Sequence, residues 1–305
     1  MSITTSSRGR GFASVIVGTM FWGLSGAVAQ FLFANLHVQP LWLVGVRLLG
    51  AGLLLLGYTA VRRGTGVFSI WRNRHDAFLL VVFAICGMMP SQLTYFLAVS
   101  YGNAATATVL QFLGPLFIII YLALASRQWP RRVDVVSIVV ALVGTYLLVT
   151  QGRLTSLALA PAAVLWGVLA GVSQASYTLL PRQLLRRYDE TQVVGWAMLI
   201  GGVPLWPVLG VTGMPHLGWV GVAAIAFIIV FGTLFAYLLY LKSLAYIPAS
   251  TTGMLSAFEP LTATVTTVLF LGTKLAGAEI VGGVLILLTT VLQALPARQA
   301  TKVER

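Results

Sequence analysis

Apolar runs of about twenty residues, recurring from one end of the chain to the other, constrain this sequence more than any other feature. A helix rising about 1.5 Å per residue needs about twenty residues to cross a hydrocarbon core of roughly 30 Å. Ten such segments can be read, at about 12–34, 40–61, 77–98, 104–125, 133–150, 157–179, 192–211, 217–241, 250–271 and 277–295. Of the 305 residues 58 % are hydrophobic and only 9 % charged, with a mean hydropathy of +0.93, whereas a water-soluble chain keeps about a quarter of its residues charged. The expected fold class is an all-α polytopic membrane protein with ten transmembrane helices and the lipid bilayer as its surroundings. The first segment follows Arg8 and Arg10 and contains Ala27-Val28-Ala29, which resembles a signal cleavage site. It exceeds a signal core of about 7–15 residues and is expected to be retained.

The net charge of +12 invites a nucleic-acid partner, and the placement of the charges argues against one. With a cytoplasmic N-terminus, all 19 Lys and Arg fall on the cytoplasmic side except Arg153 and Lys274, outside, and Arg47, within the second segment. The positive-inside rule then expects a multi-pass protein of the cytoplasmic (inner) membrane with both termini in the cytoplasm, and no nucleic acid as partner. Cys86 stands alone in an apolar run, without disulfide partner or metal-ligand spacing. His37, His75 and His216 fall in loops or at segment ends, and no HExxH, GxSxG or phosphate-loop pattern occurs. No catalytic residue, metal or cofactor is expected, no enzyme, and no coupling to ATP.

The two halves of the chain match when one is slid along the other. An offset of 144 places Trp22-Gly23 on Trp166-Gly167, Gln30 on Gln174 and Phe33 on Tyr177; an offset of 145 places Tyr95 on Tyr240, Tyr101 on Tyr246, Pro115 on Pro260 and Asp134 on Glu279. The expected division is a first five-helix repeat at 1–150 and a second at 151–305, the boundary lying near 151–156. Five is odd, so the second repeat must be inserted upside down. Inverted repeats of this kind build secondary transporters, which hold substrate near the midplane where the repeats meet.

Phe21-Trp22-Gly23 in segment one, Arg47 early in segment two, Leu113-Gly114-Pro115 in segment four and Phe258-Glu259-Pro260 in segment nine resemble the drug/metabolite transporter superfamily, specifically its EamA-type ten-helix exporters. The resemblance covers nearly the whole chain. It implies export of small metabolites, often amino acids or their derivatives, from the cytoplasm through a central cavity. One departure stands out: members of this family often carry Gly-Glu just after the fourth and ninth helices, where this chain has Arg127-Gln128 and Gly272-Thr273. Subfamily and substrate stay open on that account.

Polar positions within the segments form stripes of helical spacing three and four. Segment three offers Met88, Gln92 and Tyr95, and segment eight Thr233, Tyr237 and Tyr240; segment four offers Thr108, Gln111 and Pro115, and segment nine Thr252, Ser256 and Glu259. Segments one and six add Trp22, Gln30 and Phe33, then Trp166, Ser173, Gln174 and Tyr177. Converging stripes would line one cavity; the competing reading is interhelical packing, in which Ser and Thr bond their own helix and Gly167-x-x-x-Gly171 lets two helices approach. The substrate-binding or cavity residues expected from these stripes are Trp22, Gln30, Arg47, Gln92, Tyr95, Gln111, Trp166, Gln174, Tyr177, Tyr237, Tyr240 and Glu259. Pro115 and Pro260 are expected to bend their helices, since each withholds an N–H and frees a carbonyl one turn earlier.

Glu259 is the costliest residue to place. An intramembrane carboxylate costs several kcal/mol unless it is protonated, paired or facing water, so it marks either a functional site or a structural acid between helices. Arg47 lies about 9 Å from the outer end of its segment and Glu259 about 13 Å from the inner end of its own, depths that allow an ion pair if the helices adjoin. Arg47 snorkelling to the surface is the other reading. The function expected is a secondary transporter exporting a small-molecule substrate such as an amino acid or derivative by alternating access. The alternatives are efflux of organic cations, with Trp22, Trp166 and the tyrosines as cation–π walls, and a non-transporting membrane sensor or assembly subunit.

Overall fold

Leu, Val, Ile, Ala and Gly fill runs bounded by good helix starters, and every element formed by the described residues is helical. The computed structural model describes residues 5–127, 129, 132–153, 158–211, 215 and 217–294. His216, Gln128 and part of the repeat boundary at 151–156 lie outside these, as do the basic residues Arg131, Arg298, Lys302 and Arg305. In chain order the helices are α1 (Thr5–Asn35), α2 (Pro40–Arg63), α3 (Arg74–Phe83), α4 (Met89–Tyr101), α5 (Ala104–Gln111), α6 (Gly114–Ser126), α7 (Arg132–Thr150) and α8 (Pro161–Leu179). They continue as α9 (Arg182–Leu185), α10 (Glu190–Gly202), α11 (Trp206–Val211), α12 (Trp219–Ile229), α13 (Ala236–Leu244), α14 (Ala249–Leu255), α15 (Phe258–Leu271) and α16 (Gly277–Ala294).

The starts are chemically marked. Asn73 accepts from the backbone N–H of His75 and Asp76 at α3, Asn103 from Thr106 at α5, and Asp189 from Thr191 at α10, each satisfying donors that a helix leaves unpaired in its first turn. At α16 the Glu279 carboxylate accepts from the Ala276 N–H at 2.7 Å. Two ends use left-handed residues, Arg127 after α6 (φ 52°) and Gly272 after α15 (φ 65°). Glycine takes that conformation at no steric cost and arginine does not.

Among the described residues eight helical runs are long and apolar enough to cross a membrane: Arg8–Asn35, Pro40–Arg72, Arg74–Tyr101, Ala104–Ser126, Arg132–Thr150, Pro161–Leu185, Trp219–Leu244 and Thr251–Leu271. Gly277–Leu292 is apolar but shorter. The expected segment at 192–211 is interrupted, α10 passing through a 3-10 turn at Val203–Leu205 into α11, because Pro204 and Pro207 each remove a backbone donor. Large apolar side chains such as Leu124, Leu142, Leu269 and Phe270 stand exposed on α6, α7 and α15. Such area suits lipid contact, where water would penalise it. The chain is a multi-pass membrane protein.

Four interruptions shape the interior. A π-turn at Ala84–Met88 joins α3 to α4 and another at Val230–Phe235 joins α12 to α13. The runs containing Pro115 and Pro260 each break just ahead of the proline, between α5 and α6 at Phe112 and Leu113 and between α14 and α15 at Ser256 and Ala257. α1 lies along α13 and α15, and α8 along α4, α5 and α6, while α2 pairs with α10 and α7 with α16. At Gly167 a Cβ would run into the Leu110 side chain, so this glycine lets α8 lie against α5 as the packing reading of Gly167-x-x-x-Gly171 requires. The largest apolar core gathers Leu32, Leu43, Leu48, Phe83, Met88, Phe96 and Met198.

Candidate functional site

Where the interrupted helices face one another they leave a cavity of about 490 Å³. Trp22, Arg47, Gln92, Tyr95, Gln111, Pro115, Gln174, Tyr177, Tyr237, Tyr240 and Glu259 all line it. Trp22 packs against Tyr237 and Tyr240 with ring centroids 5.2 Å apart in both pairs. The Tyr177 hydroxyl donates to that of Tyr237 at 3.2 Å, Gln111 Nε2 donates to Gln174 Oε1 at 3.4 Å, and the Tyr95 and Thr108 hydroxyls bond at 3.0 Å. Tyr95 fits because Gly26 faces it: a Cβ there would strike the Tyr95 hydroxyl.

Arg47 reaches from α2 to the second π-turn. Its Nε donates to Thr233 Oγ1 at 2.9 Å and its Nη2 to the Gly232 carbonyl at 3.3 Å, while the guanidinium lies 5.1 Å from the Phe96 ring centroid. The wider loop of a π-turn leaves a carbonyl without its usual donor, and Gly232 offers that oxygen to the arginine. Thr233 in turn donates to the Ile228 carbonyl at 2.8 Å, which aims its lone pairs at Arg47. Arg47 is 5 % exposed and does not snorkel to the surface: hydrogen-bond acceptors within the bundle hold the head group that otherwise seeks water. Nη1 has no hydrogen-bond partner among the described residues and is left for the cavity.

Glu259 follows the break at Ser256 and Ala257, in the first turn of α15. Its carboxylate has no hydrogen bond or ion pair among the described residues, and the Arg47–Glu259 ion pair that their depths allow does not form. Both groups line the cavity. The Arg47 guanidinium and the Glu259 carboxyl thus share a chamber lined also by aromatic rings, the three carboxamides of Gln92, Gln111 and Gln174, and Glu190.

Of the remaining stripe residues Ser256 also lines the cavity, and others sit elsewhere. Gln30 accepts from the Ala104 N–H at 2.8 Å and donates to Thr273 Oγ1 at 3.3 Å, away from the cavity. Trp166 packs against the apolar core, Phe33 meets Phe96 edge to face at 5.9 Å, and Ser173 accepts from Thr94 at 3.5 Å. Met88 is fully buried, and Pro260 is buried too. Segment-by-segment reading passes over Glu190, which lines the cavity at the start of α10; the Asp189 cap just before it is the available signal. It also passes over Asp76, 1 % exposed, which accepts from Arg187 Nη1 at 3.1 Å and from the Tyr188 hydroxyl at 2.8 Å. Burial, and then that bond, raise the Tyr188 hydroxyl above its ordinary pKa. Arg63 and Asp189 add an ion pair at 2.7 Å, so the loop before α10 is tied to the ends of α2 and α3.

The family model of the EamA-like transporter family matches residues 9–150 and 161–295. The chain belongs to that family. Among relatives, an uncharacterized inner membrane transporter of Salmonella typhimurium, YicL, is 37 % identical over 298 residues, 97 % of this chain and 99 % of the relative. The threonine/homoserine exporter RhtA of Salmonella typhimurium is 25 % identical over 260 residues, 82 % of this chain and 85 % of its own length. A solved crystal structure shares the fold with a TM-score of 0.62 at 19 % identity, covering 99 % of this chain and 100 % of that one. This EamA-like protein is therefore a membrane transporter.

Proposed function

We propose that this EamA-like transporter exports α-amino acids or closely related zwitterions from the cytoplasm by alternating access. The single observation that carries the reading is that Arg47 and Glu259 line one cavity with no ion pair between them among the described residues. A zwitterion answers both charges at once, its carboxylate to Arg47 Nη1 and its ammonium to Glu259, and charge-assisted bonds of this kind are the strong ones. The likeness to RhtA, named for threonine and homoserine, supports the same substrate class. Efflux of organic cations has the aromatic wall of Trp22, Tyr237 and Tyr240 in its favour, but a cation entering there also meets the Arg47 guanidinium.

The architecture proposed is ten membrane segments in two inverted repeats, 1–150 and 151–305, with both termini cytoplasmic. The paired π-turns, the paired proline breaks and the division of the family match into 9–150 and 161–295 support it. So does the exchange of partners, α1 with α13 and α15 against α8 with α4 and α5. In that orientation the cavity lining runs from Tyr95 and Arg47 to Leu185, Glu190 and Leu244 near the cytoplasmic face, which makes this the inward-facing state. Radiolabelled flux in proteoliposomes, with amino acids and lipophilic cations side by side, tests the reading. Saturable amino acid flux that lipophilic cations do not compete is expected; flux of the cations alone would overturn it.

A further inference from the structure

Gln30 and Gln174 stand at matching places, 144 residues apart, and do different things. Gln30 Oε1 accepts from the Ala104 N–H at 2.8 Å and its Nε2 donates to Thr273 Oγ1 at 3.3 Å, so one side chain ties α1 to the start of α5 and to the segment after α15. Around this tie the helices close: Ala29, Leu32, Ala104 and Ala107 are buried together. Gln174, in contrast, lines the cavity and is bonded to Gln111, another cavity residue. The residue that matches Ala104 is Ala249, at the start of α14, and the Pro248 that precedes it supplies no side-chain cap.

We propose that Gln30 and Gln174 are alternating latches of the transport cycle. In the state seen here Gln30 holds the α1/α5/α15 end of the cavity shut. In the opposite state Gln174 leaves Gln111 and accepts from the Ala249 N–H, shutting the other end, while Gln30 releases Ala104. Each glutamine thereby positions a gate without contributing to the substrate contacts made by Arg47 and Glu259. The inference rests on the inverted-repeat reading, since only a two-fold relation between the halves makes Ala249 the counterpart of Ala104. A latch that forms in one state and not in the other shifts the balance between states by the net strength of its hydrogen bond, about five-fold for a bond of ordinary strength.

The test uses the full-length protein with Cys86→Ala and single reporter cysteines. Ala107→Cys, buried beside the Gln30 latch, reports opening to the outside through an impermeant thiol reagent applied to intact cells. Thr178→Cys, on the cavity wall, reports opening to the inside in inside-out vesicles. Gln30→Ala is expected to raise labelling at 107 about five-fold, and Gln30→Glu, which keeps the acceptor for Ala104, to stay near the parental rate. Gln174→Ala is expected to act in the opposite sense, raising labelling at 178 and lowering it at 107. Ala249→Pro deletes the N–H that Gln174 is to bind, at a first helical position where proline is tolerated, and is expected to reproduce Gln174→Ala. Equal or same-direction effects of Gln30→Ala and Gln174→Ala, or Ala249→Pro at parental rates, would overturn the latch. Cysteines at Ala34 and Arg182 separate that failure from failure of the repeat: if both are labelled from outside, the two glutamines do not serve opposite faces and the underlying reading falls with the proposal.

Discussion

Glu259→Gln tests the ammonium contact proposed for this residue against an ion pair to Arg47, because the two arrangements predict different stability changes. The side chain makes no hydrogen bond or ion pair among the described residues, and Gln has nearly its shape. The folded protein should therefore change by less than about 1 kcal/mol, the scale of substitutions that break no buried contact. The ligand should notice far more. A charge-assisted hydrogen bond to an ammonium contributes about 1.5–3 kcal/mol, so apparent affinity for an amino acid should fall about ten-fold to a hundred-fold. An N-acylated analogue, which has no ammonium, should lose little. Counterflow of a labelled amino acid in proteoliposomes, competed by the free and N-acylated forms, measures the difference, and thermal unfolding in detergent measures the stability. Unchanged affinity for the free amino acid would refute the ammonium contact. A stability loss above about 3 kcal/mol that Arg47→Gln partly restores would show an ion pair instead, since an uncompensated buried charge costs that much.

The remaining expectations concern topology, the helix breaks and residues at helix ends. With Cys86 removed, single cysteines at His37 and at His216, the latter outside the described residues, should react with an impermeant reagent from outside, and one at Arg72 should not; labelling at Arg72 in intact cells would reverse the orientation. Pro115→Ala or Pro260→Ala should slow transport more than it lowers folded yield, measured as flux per unit of monodisperse protein, because the regained donor straightens a helix whose break shapes the cavity. Asp76→Asn should lower stability by about 2 kcal/mol, seen as a reduced Tm, since it removes the charge that Arg187 and Tyr188 bond. Arg127→Gly should raise stability by about 1 kcal/mol by relieving a left-handed arginine, again read from Tm.

Hydropathy and charge placement are local properties, and they determined from the sequence that this chain is a helical membrane protein and where most of its segments run. The proline breaks were legible for the same reason: a missing N–H acts on its own helix, and the breaks between α5 and α6 and between α14 and α15 fall just ahead of Pro115 and Pro260. The stripes through Trp22, Gln92, Tyr95, Tyr237 and Tyr240 were readable because helical periodicity fixes which residues share a face. It does not fix what that face meets. Trp22 and Trp166 are equivalent in sequence, yet one walls the cavity and the other packs in the core. Gln30 and Gln174 differ likewise: one bonds the start of α5 and Thr273, the other lines the cavity beside Gln111. The partners of Arg47 depended on a π-turn 185 and 186 residues away, and the two acceptors there decided that it stays inside and leaves Glu259 unpaired. Packing between distant helices sets such contacts, and no window of sequence contains both sides of them.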